Sequence, residues 1–243
     1  MEPYEALPIR AYLRNNSYPG RGILVGCSAD GASAVTAYFI MGRSKNSRNR
    51  VFQVEGGELF TKPFDASLVE DPSLILYPAL RRWENCLILT NGDQTDTVYT
   101  GLQNAKSFTE SLTSREFEPD APNFTPRISA MLTFSGGSFT YEMSILKSAD
   151  VAGSACSRYF FRYPALPGVG HLLHTYDRDG TPLPPFTGEP RRVTIPDSID
   201  ELTEETWESL DEDNKISLYV RYTALSDGKV TERLRNKNQE CVR

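Results

Sequence analysis

The chain has 243 residues, with 26 Lys+Arg against 32 Asp+Glu and a formal net charge of −6. That length can bury a sizeable core within one domain, and the acidic balance argues against a general binder of nucleic acid, which would carry a basic face. No stretch approaches the roughly 20 apolar residues that span a bilayer, and the opening MEPYEALPIRAYL lacks a signal-type apolar run. The expectation is one cytoplasmic domain over residues 1–243, away from membranes.

From Gly22 the sequence reads GILVGCSADGASAVTAYFIMGR, two runs of strand formers around Ala29-Asp30-Gly31. Asp-Gly tolerates positive φ, so this is hairpin chemistry, and Val35, Ala37 and Phe39 should share one strand face. VFQVEGGELFTKPF repeats the device at Gly56-Gly57, RISAMLTFSGGSFTYEMSIL at Ser135-Gly136-Gly137, and KISLYVRYTALSDGKVTERL at Asp227-Gly228. Between them CLILT reads as a strand with Leu87 and Leu89 on one face, followed by Val98, Leu102, Ala105, Phe108 and Leu112 at helical spacing, with Thr95 or Asp96 as candidate N-cap. Ser198 precedes a second helical pattern, IDELTEETWESL. Antiparallel sheet covered by at least two helices follows. Pro-rich segments at 164–167 and 182–190 read as loops, and the locally basic stretch 229–243 reads as a flexible tail. Cys27, Cys86, Cys156 and Cys241 are widely spaced without C-x-x-C, and buried free thiols are expected.

Three polar clusters adjoin these strands. GRSKNSRNR, residues 42–50, supplies four cations with Ser and Asn donors, a set suited to phosphate or equally to a solvated loop. TNGDQTD, residues 90–96, sits at a strand end, where side chains are rigidly aimed, although Asn-Gly alone can mean a turn. EFEPDAPNFTPR, residues 116–127, packs three carboxylates, an amide, a hydroxyl and a guanidinium into a proline-stiffened loop. His171 and His174 lie three apart on a strand-like segment and point to opposite faces, so a shared metal is not expected. H-E-x-x-H, G-x-S-x-G, Walker A and dinucleotide motifs are missing from the sequence, and the short G-x-G at Gly20 to Gly22 is too weak to count.

Taken in order, GRSKNSRNR, NGDQTD and NFTPRIS resemble the archaeal-type IMP cyclohydrolase family. The likeness covers roughly residues 20–146 and extends more faintly to GHLLHTYD. It implies an α+β fold, a four-layer αββα sandwich of antiparallel sheets similar to N-terminal-nucleophile hydrolases but without self-processing. It implies an enzyme without metal or organic cofactor that closes 5-formamidoimidazole-4-carboxamide ribotide to IMP, and performs the reverse hydrolysis, in purine biosynthesis. Arg43, Tyr77 and Glu118 are then the catalytic candidates, and Ser44, Arg50, Asn91, Asp96, Asn123, Thr125 and Arg127 the substrate-binding ones, with Arg43 and Arg127 converging on one anion. Gly42 stands where the family pattern has a serine, and the longer interval after Arg43 leaves Arg48 and Arg50 both in play for the second arginine. The partners implied are small purine nucleotides, not nucleic acid or membrane, with a homo-oligomer left open. A purine-nucleotide-binding protein of the same fold that lacks turnover is the alternative, and a self-processed amidase is disfavoured because cleavage before Cys27 would cut a strand.

Overall fold

A computed structural model describes residues 4–69 and 76–240. The chain runs through α1 (Arg10–Leu13), β1 (Arg21–Cys27), β2 (Ser33–Met41), α2 (Lys45–Arg48), β3 (Val51–Glu55), β4 (Glu58–Lys62), β5 (Tyr77–Trp83) and β6 (Cys86–Thr90). It continues through α3 (Gln94–Gln103), α4 (Phe108–Leu112), β7 (Arg127–Ser135), β8 (Ser138–Ser148), β9 (Cys156–Pro164), β10 (Val169–His174) and β11 (Arg191–Thr194). It ends in α5 (Ile199–Ser209), β12 (Lys215–Ala224), β13 (Val230–Asn236) and α6 (Lys237–Glu240). The strands form two antiparallel sheets, one ordered β11-β10-β1-β2-β12-β13 and the other β3-β4-β5-β6-β7-β8-β9.

Side chains alternate across each strand, so every sheet has two faces to bury. Ile23, Val25, Tyr38 and Ile40 of the first sheet meet Tyr77, Ala79, Leu87, Leu89, Ala130 and Leu132 of the second in a central core. The opposite face of the first sheet, with Leu24, Val35, Ala37 and Phe39, is covered by Ile9 and Leu13 near α1 and by Leu202 and Trp207 of α5. Ile88 and Met131 on the outer face of the second sheet are covered by Val98 of α3 and by Phe108 and Leu112 of α4. The fold is therefore α+β, two antiparallel sheets face to face with helices outside.

The four expected hairpins are all formed, with Gly31, Gly57, Gly137 and Gly228 at positive φ in their turns. The single helical period read over residues 98–112 is instead broken in two. Ala105 takes φ 57°, and a capping box between Ser107 and Glu110 restarts the chain as α4. A left-handed alanine costs about 1–2 kcal/mol and a cap returns about 1 kcal/mol. The break turns Phe108 and Leu112, both fully buried, onto Ile88 and Met131, and burial of each contributes about 1.5–3 kcal/mol. Packing decides. Neither Thr95 nor Asp96 caps α3, whose N-cap position is Asp93. The expected basic tail is ordered instead as a strand and a short helix: β13 pairs with β12 from Val230 to Asn236 and α6 follows. Cys27, Cys86 and Cys156 are free, but only Cys27 of the three is buried as expected, Cys86 and Cys156 being half-buried toward strand ends; Cys241 lies outside the described residues.

The two histidines of β10 serve different neighbours. His171 Nδ1 lies 2.6 Å from the Tyr141 hydroxyl, with the Tyr163 ring stacked 3.7 Å away. His174 Nδ1 lies 2.8 Å from the Tyr176 carbonyl oxygen. Burial pushes both imidazoles down to about 4, with the Arg192 charge adding to it at His171. An unfolded chain takes up protons near pH 6.5, whereas the fold refuses them until about 4. The stability these groups contribute is complete above the unfolded value and lost as pH falls through that window. Urea unfolding between pH 7.5 and 4.5 should show the unfolding free energy declining on acidification, by up to about 1.4 kcal/mol per pH unit for each histidine. His174→Asn should flatten the slope, and a profile level in the wild-type protein would contradict the assignment.

Candidate active site

At one end of the sandwich β1 begins, β2 and β10 end, and β5 and β7 begin, opening a cavity of about 270 Å³ between the sheets. Arg21, the first residue of β1, shares the inward parity of Ile23 and Val25. Its Nη1 donates to Glu118 Oε1 at 2.9 Å, tying the first sheet to the loop that enters β7. The pair is nearly sealed, with Arg21 14 % and Glu118 9 % exposed at their side chains. The flanking glycines are steric necessities. A Cβ on Gly20 would stand 2.2 Å from Thr175 Oγ1, and one on Gly22 would stand 2.2 Å from the Phe39 ring. Behind the pair, Tyr38 of β2 and Tyr77 of β5 meet across the two sheets with their hydroxyls 2.9 Å apart.

The segment after β2 forms one wall. Ser44 caps α2, accepting from the Ser47 amide at 3.1 Å, and Ser47 Oγ accepts from the Ser44 amide at 2.9 Å. This one-turn helix fits because residue 42 has no side chain: a Cβ there would lie 2.6 Å from Ser47 Oγ and 2.7 Å from Ile216. The glycine that departs from the family serine is thus matched to its own α2. Arg43 stays at the mouth, 36 % exposed, bonded to Asp179 and to the Gly180 carbonyl, with its guanidinium 4.9 Å over the Tyr18 ring. Arg48 turns away to the Gly42 carbonyl and to Asn214. Arg50 turns inward, 4 % exposed, and lines the cavity. Of the two arginines that spacing left open, Arg50 is the one that reaches the site.

The opposite wall is the loop before β7. Asp120 accepts from the Thr125 amide at 2.6 Å and from its hydroxyl, and that hydroxyl lies 2.6 Å from the Tyr176 hydroxyl. Asn123 Oδ1 accepts from the Leu183 amide at 3.1 Å. Asn123 and Thr125 therefore line the cavity with Arg43, Ser44 and Arg50, whereas Glu118 and Tyr77 do not line it, Glu118 being bonded to Arg21, which does, and Tyr77 to Tyr38.

Three expected site residues are placed elsewhere. Asn91 is fully buried and holds the chain, donating to the Pro126 carbonyl at 2.9 Å and accepting from the Ile128 amide at 2.9 Å. Asp96 pairs with Arg81 at 2.7 Å on the α3 side of the second sheet. Arg127 donates to Asp93 and to Gln94 Oε1, each at 2.7 Å, and does not line the cavity. Arg43 and Arg127 accordingly do not converge in this geometry. Although burial works against the charge, Arg115 and Arg127 hold the Asp93 carboxyl below its usual range, so Arg127 is already neutralised.

Residues not singled out from the sequence complete the site: Arg21, Tyr18, Asp120, Thr175 and Tyr176. The signal for Arg21 was the G-R-G at the head of β1, where two glycines bracket an inward cation. The two floor guanidiniums are unlike. Burial opposes the Arg21 charge, yet Glu118 and the surrounding tyrosines outweigh it and raise its pKa. Burial, then the neighbouring Arg21 charge, lowers that of Arg50. Among the described residues Arg50 forms no ion pair, and its Nε donates to the Ser47 carbonyl at 2.8 Å. A buried charge without a counter-ion is unfavourable. The one carboxylate among the described lining residues, Asp120, is turned to the Thr125 amide and hydroxyl and not to Arg50.

Fold and cavity together define a protein shaped to take a small anionic molecule between two sheets. The sequence matches the family described as IMP cyclohydrolase-like protein over residues 18–228, and the chain belongs to that family. It is 31 % identical to the IMP cyclohydrolase of Methanopyrus kandleri over 183 residues, covering 70 % of this chain and 89 % of that protein. It is 30 % identical to the IMP cyclohydrolase of Methanothrix thermoacetophila over 120 residues, covering 48 % and 58 % of the two chains.

The fit of α2 to Gly42 is open to test. Gly42→Ser should destabilise the protein by about 1–3 kcal/mol through overpacking against Ser47 and Ile216. Lys45→Ala, a loss of one exposed helix side chain, should stay within about 0.5 kcal/mol of the parent. Urea unfolding of the two variants decides it; equal stabilities would show that α2 shifts without cost.

Proposed function

We propose that this cavity is where the chain, a member of an IMP cyclohydrolase-like family, closes 5-formamidoimidazole-4-carboxamide ribotide to IMP and water. The observation that carries the reading is Arg50, a buried guanidinium lining a ligand-sized cavity and, among the described residues, without an ion-pair partner. Arg43 and Arg50 set two positive charges against a phosphate dianion, with Ser44 and Ser47 as neutral donors. Asn123, Asp120 and Thr125 face the ribose and imidazole.

In ring closure the carboxamide nitrogen attacks the formyl carbon, a C–N bond forms, and the carbonyl electron pair moves onto the formyl oxygen. Both partners belong to one molecule, so holding them in contact supplies much of the rate. The developing oxyanion needs a preorganised donor, which the Tyr77 hydroxyl provides beside the Arg21 charge. Glu118, bonded to Arg21 through Oε1, takes one proton from the carboxamide nitrogen and passes it to the oxyanion. It then takes the formamido N–H proton and gives it to the hydroxyl as the C–O bond breaks, so that both protons leave in the water and the ring gains its C=N bond. The reverse reaction follows the same path, water adding to the purine carbon.

On this reading the sheets and helices form a single cytoplasmic domain with the αββα layering of N-terminal-nucleophile hydrolases. Self-processing has no place in it, because cleavage before Cys27 would sever β1 at its last residue.

Arg50→Met removes the charge while keeping an apolar stem. IMP affinity measured by calorimetry should fall about 30-fold or more, equivalent to about 2 kcal/mol, while thermal stability holds or rises once a lone buried charge is gone. Unchanged affinity in this variant would remove the phosphate assignment. Arg127→Met should instead lose stability, by leaving Asp93 short of a partner.

A further inference from the structure

The end of the sandwich opposite Arg50 holds a second cavity, of about 210 Å³, where the β5–β6, β7–β8 and β12–β13 hairpins turn. Alternation along the strands supplies its lining. Tyr219 of β12 belongs to the central core, so Arg221 and Thr223 follow it inward. Leu87 of β6 belongs to the same core, and its partner in register on β5 is Arg82. Phe134 and Leu225 extend the apolar part of the wall, and Ser138 stands at the rim. Among the described residues no carboxylate lines this cavity.

Arg221 is enclosed but loosely held. Its side chain is 7 % exposed, yet its bonds are long: Nε to Thr223 Oγ1 at 3.3 Å, and Nη1 to the Gly57 carbonyl and to Glu232 Oε1, each at 3.4 Å. A well-made guanidinium–carboxylate bond measures about 2.7–2.9 Å, and Glu232 Oε1 already accepts from the Tyr219 hydroxyl. Among the described residues Arg221 Nη2 has no hydrogen-bond partner, and the space open to it is the cavity that Arg221 lines. Thr223 accepts from Arg221 and gives its own proton to no described residue. Arg82 forms no ion pair among the described residues, its Nε donating to the Glu84 carbonyl at 3.0 Å. Enclosed donors without acceptors are unfavourable, and those of Arg221 and Thr223 meet one space.

We infer that this cavity is a second ligand site, for a small organic anion that sets a carboxylate or phosphate against Arg221, Arg82 and Thr223 and an apolar ring against Leu87, Phe134 and Leu225. It shares no lining residue with the Arg50 cavity, so both can be filled at once. A guest there joins β12 of one sheet to β5, β6 and β7 of the other, and stabilises the folded chain by mass action.

The test titrates phenyl phosphate, benzoate and inorganic phosphate by calorimetry into the wild-type protein and into Arg50→Met, in which the first cavity has lost its buried cation. In Arg50→Met the better of the two aromatic anions should bind with a Kd of about 1 mM or tighter, and their order tells whether phosphate or carboxylate is the group preferred. Inorganic phosphate, which lacks the ring, should bind at least tenfold more weakly there. Adding Arg221→Met should weaken the aromatic anion at least tenfold, through loss of its charge-assisted bonds. Should that variant fold poorly, Ser138→Glu puts a negative charge on the exposed rim and should weaken binding at least threefold without lowering the Tm of the unliganded protein. Failure of both aromatic anions to bind at millimolar concentration, binding lost on Arg50→Met alone, or binding that Arg221→Met or Ser138→Glu leaves unchanged would overturn the proposal. Inorganic phosphate binding as tightly as phenyl phosphate in Arg50→Met would likewise overturn it, by removing the apolar half of the site.

Discussion

The ion pair between Arg21 and Glu118 is the constraint on which the site depends. It joins the first residue of one sheet to the loop that leads into the other, in a place almost sealed from water. Removing either partner of such a pair leaves an uncompensated buried charge, commonly a loss of 3–5 kcal/mol. Its geometry dictates its neighbours. Gly20 and Gly22 must lack side chains for Arg21 to sit between Thr175 and Phe39. The loop must carry Glu118 to Arg21, which the Glu118 amide secures by donating to the Thr125 carbonyl at 2.9 Å.

Around that neutral pair the remaining charges are arranged for a guest. Arg43 is balanced by Asp179 at the mouth and can exchange that partner for a ligand at little cost, because a half-exposed pair contributes about 1 kcal/mol or less. Among the described residues Arg50 has no such partner, and it keeps its charge at the expense of burial. One guanidinium is thus permanently committed to Glu118, one is held loosely, and one awaits a counter-ion. On the proposed function, this division leaves Arg43 and Arg50 to the phosphate and Glu118 to proton transfer.

Much of the fold was legible because local chemistry and tertiary structure agree. Asp30-Gly31, Gly56-Gly57, Gly136-Gly137 and Asp227-Gly228 each supply the positive φ that a tight turn demands, and the alternation of Val35, Ala37 and Phe39 gives their shared face directly. The helical period over 98–112 misled because the same spacing serves one helix or two docked on the same sheet face; the capping box at Ser107 was the sign that separated them. At the site, Arg43, Ser44, Arg50, Asn123 and Thr125 could be read from motif order, since each lies on a segment fixed by an adjoining strand. Asn91, Asp96 and Arg127 belong to equally polar motifs, but their side chains are consumed by backbone groups or by opposite charges. Composition alone does not distinguish a cation that is already paired from one that is not. Arg21 escaped notice because a lone G-R-G has no statistical weight until the strand parity that turns it inward is known.

The charge imbalance at Arg50 and its placement beside Arg21 and Tyr77 are tested most directly by a crystal structure of the protein with bound IMP. The account predicts the phosphate against Arg43 and Arg50 and the purine ring against Arg21 and Tyr77, with the Arg21 to Glu118 bond retained. A nucleotide seated in the cavity of about 210 Å³ lined by Arg82 and Arg221, with the Arg50 cavity holding water alone, would contradict it.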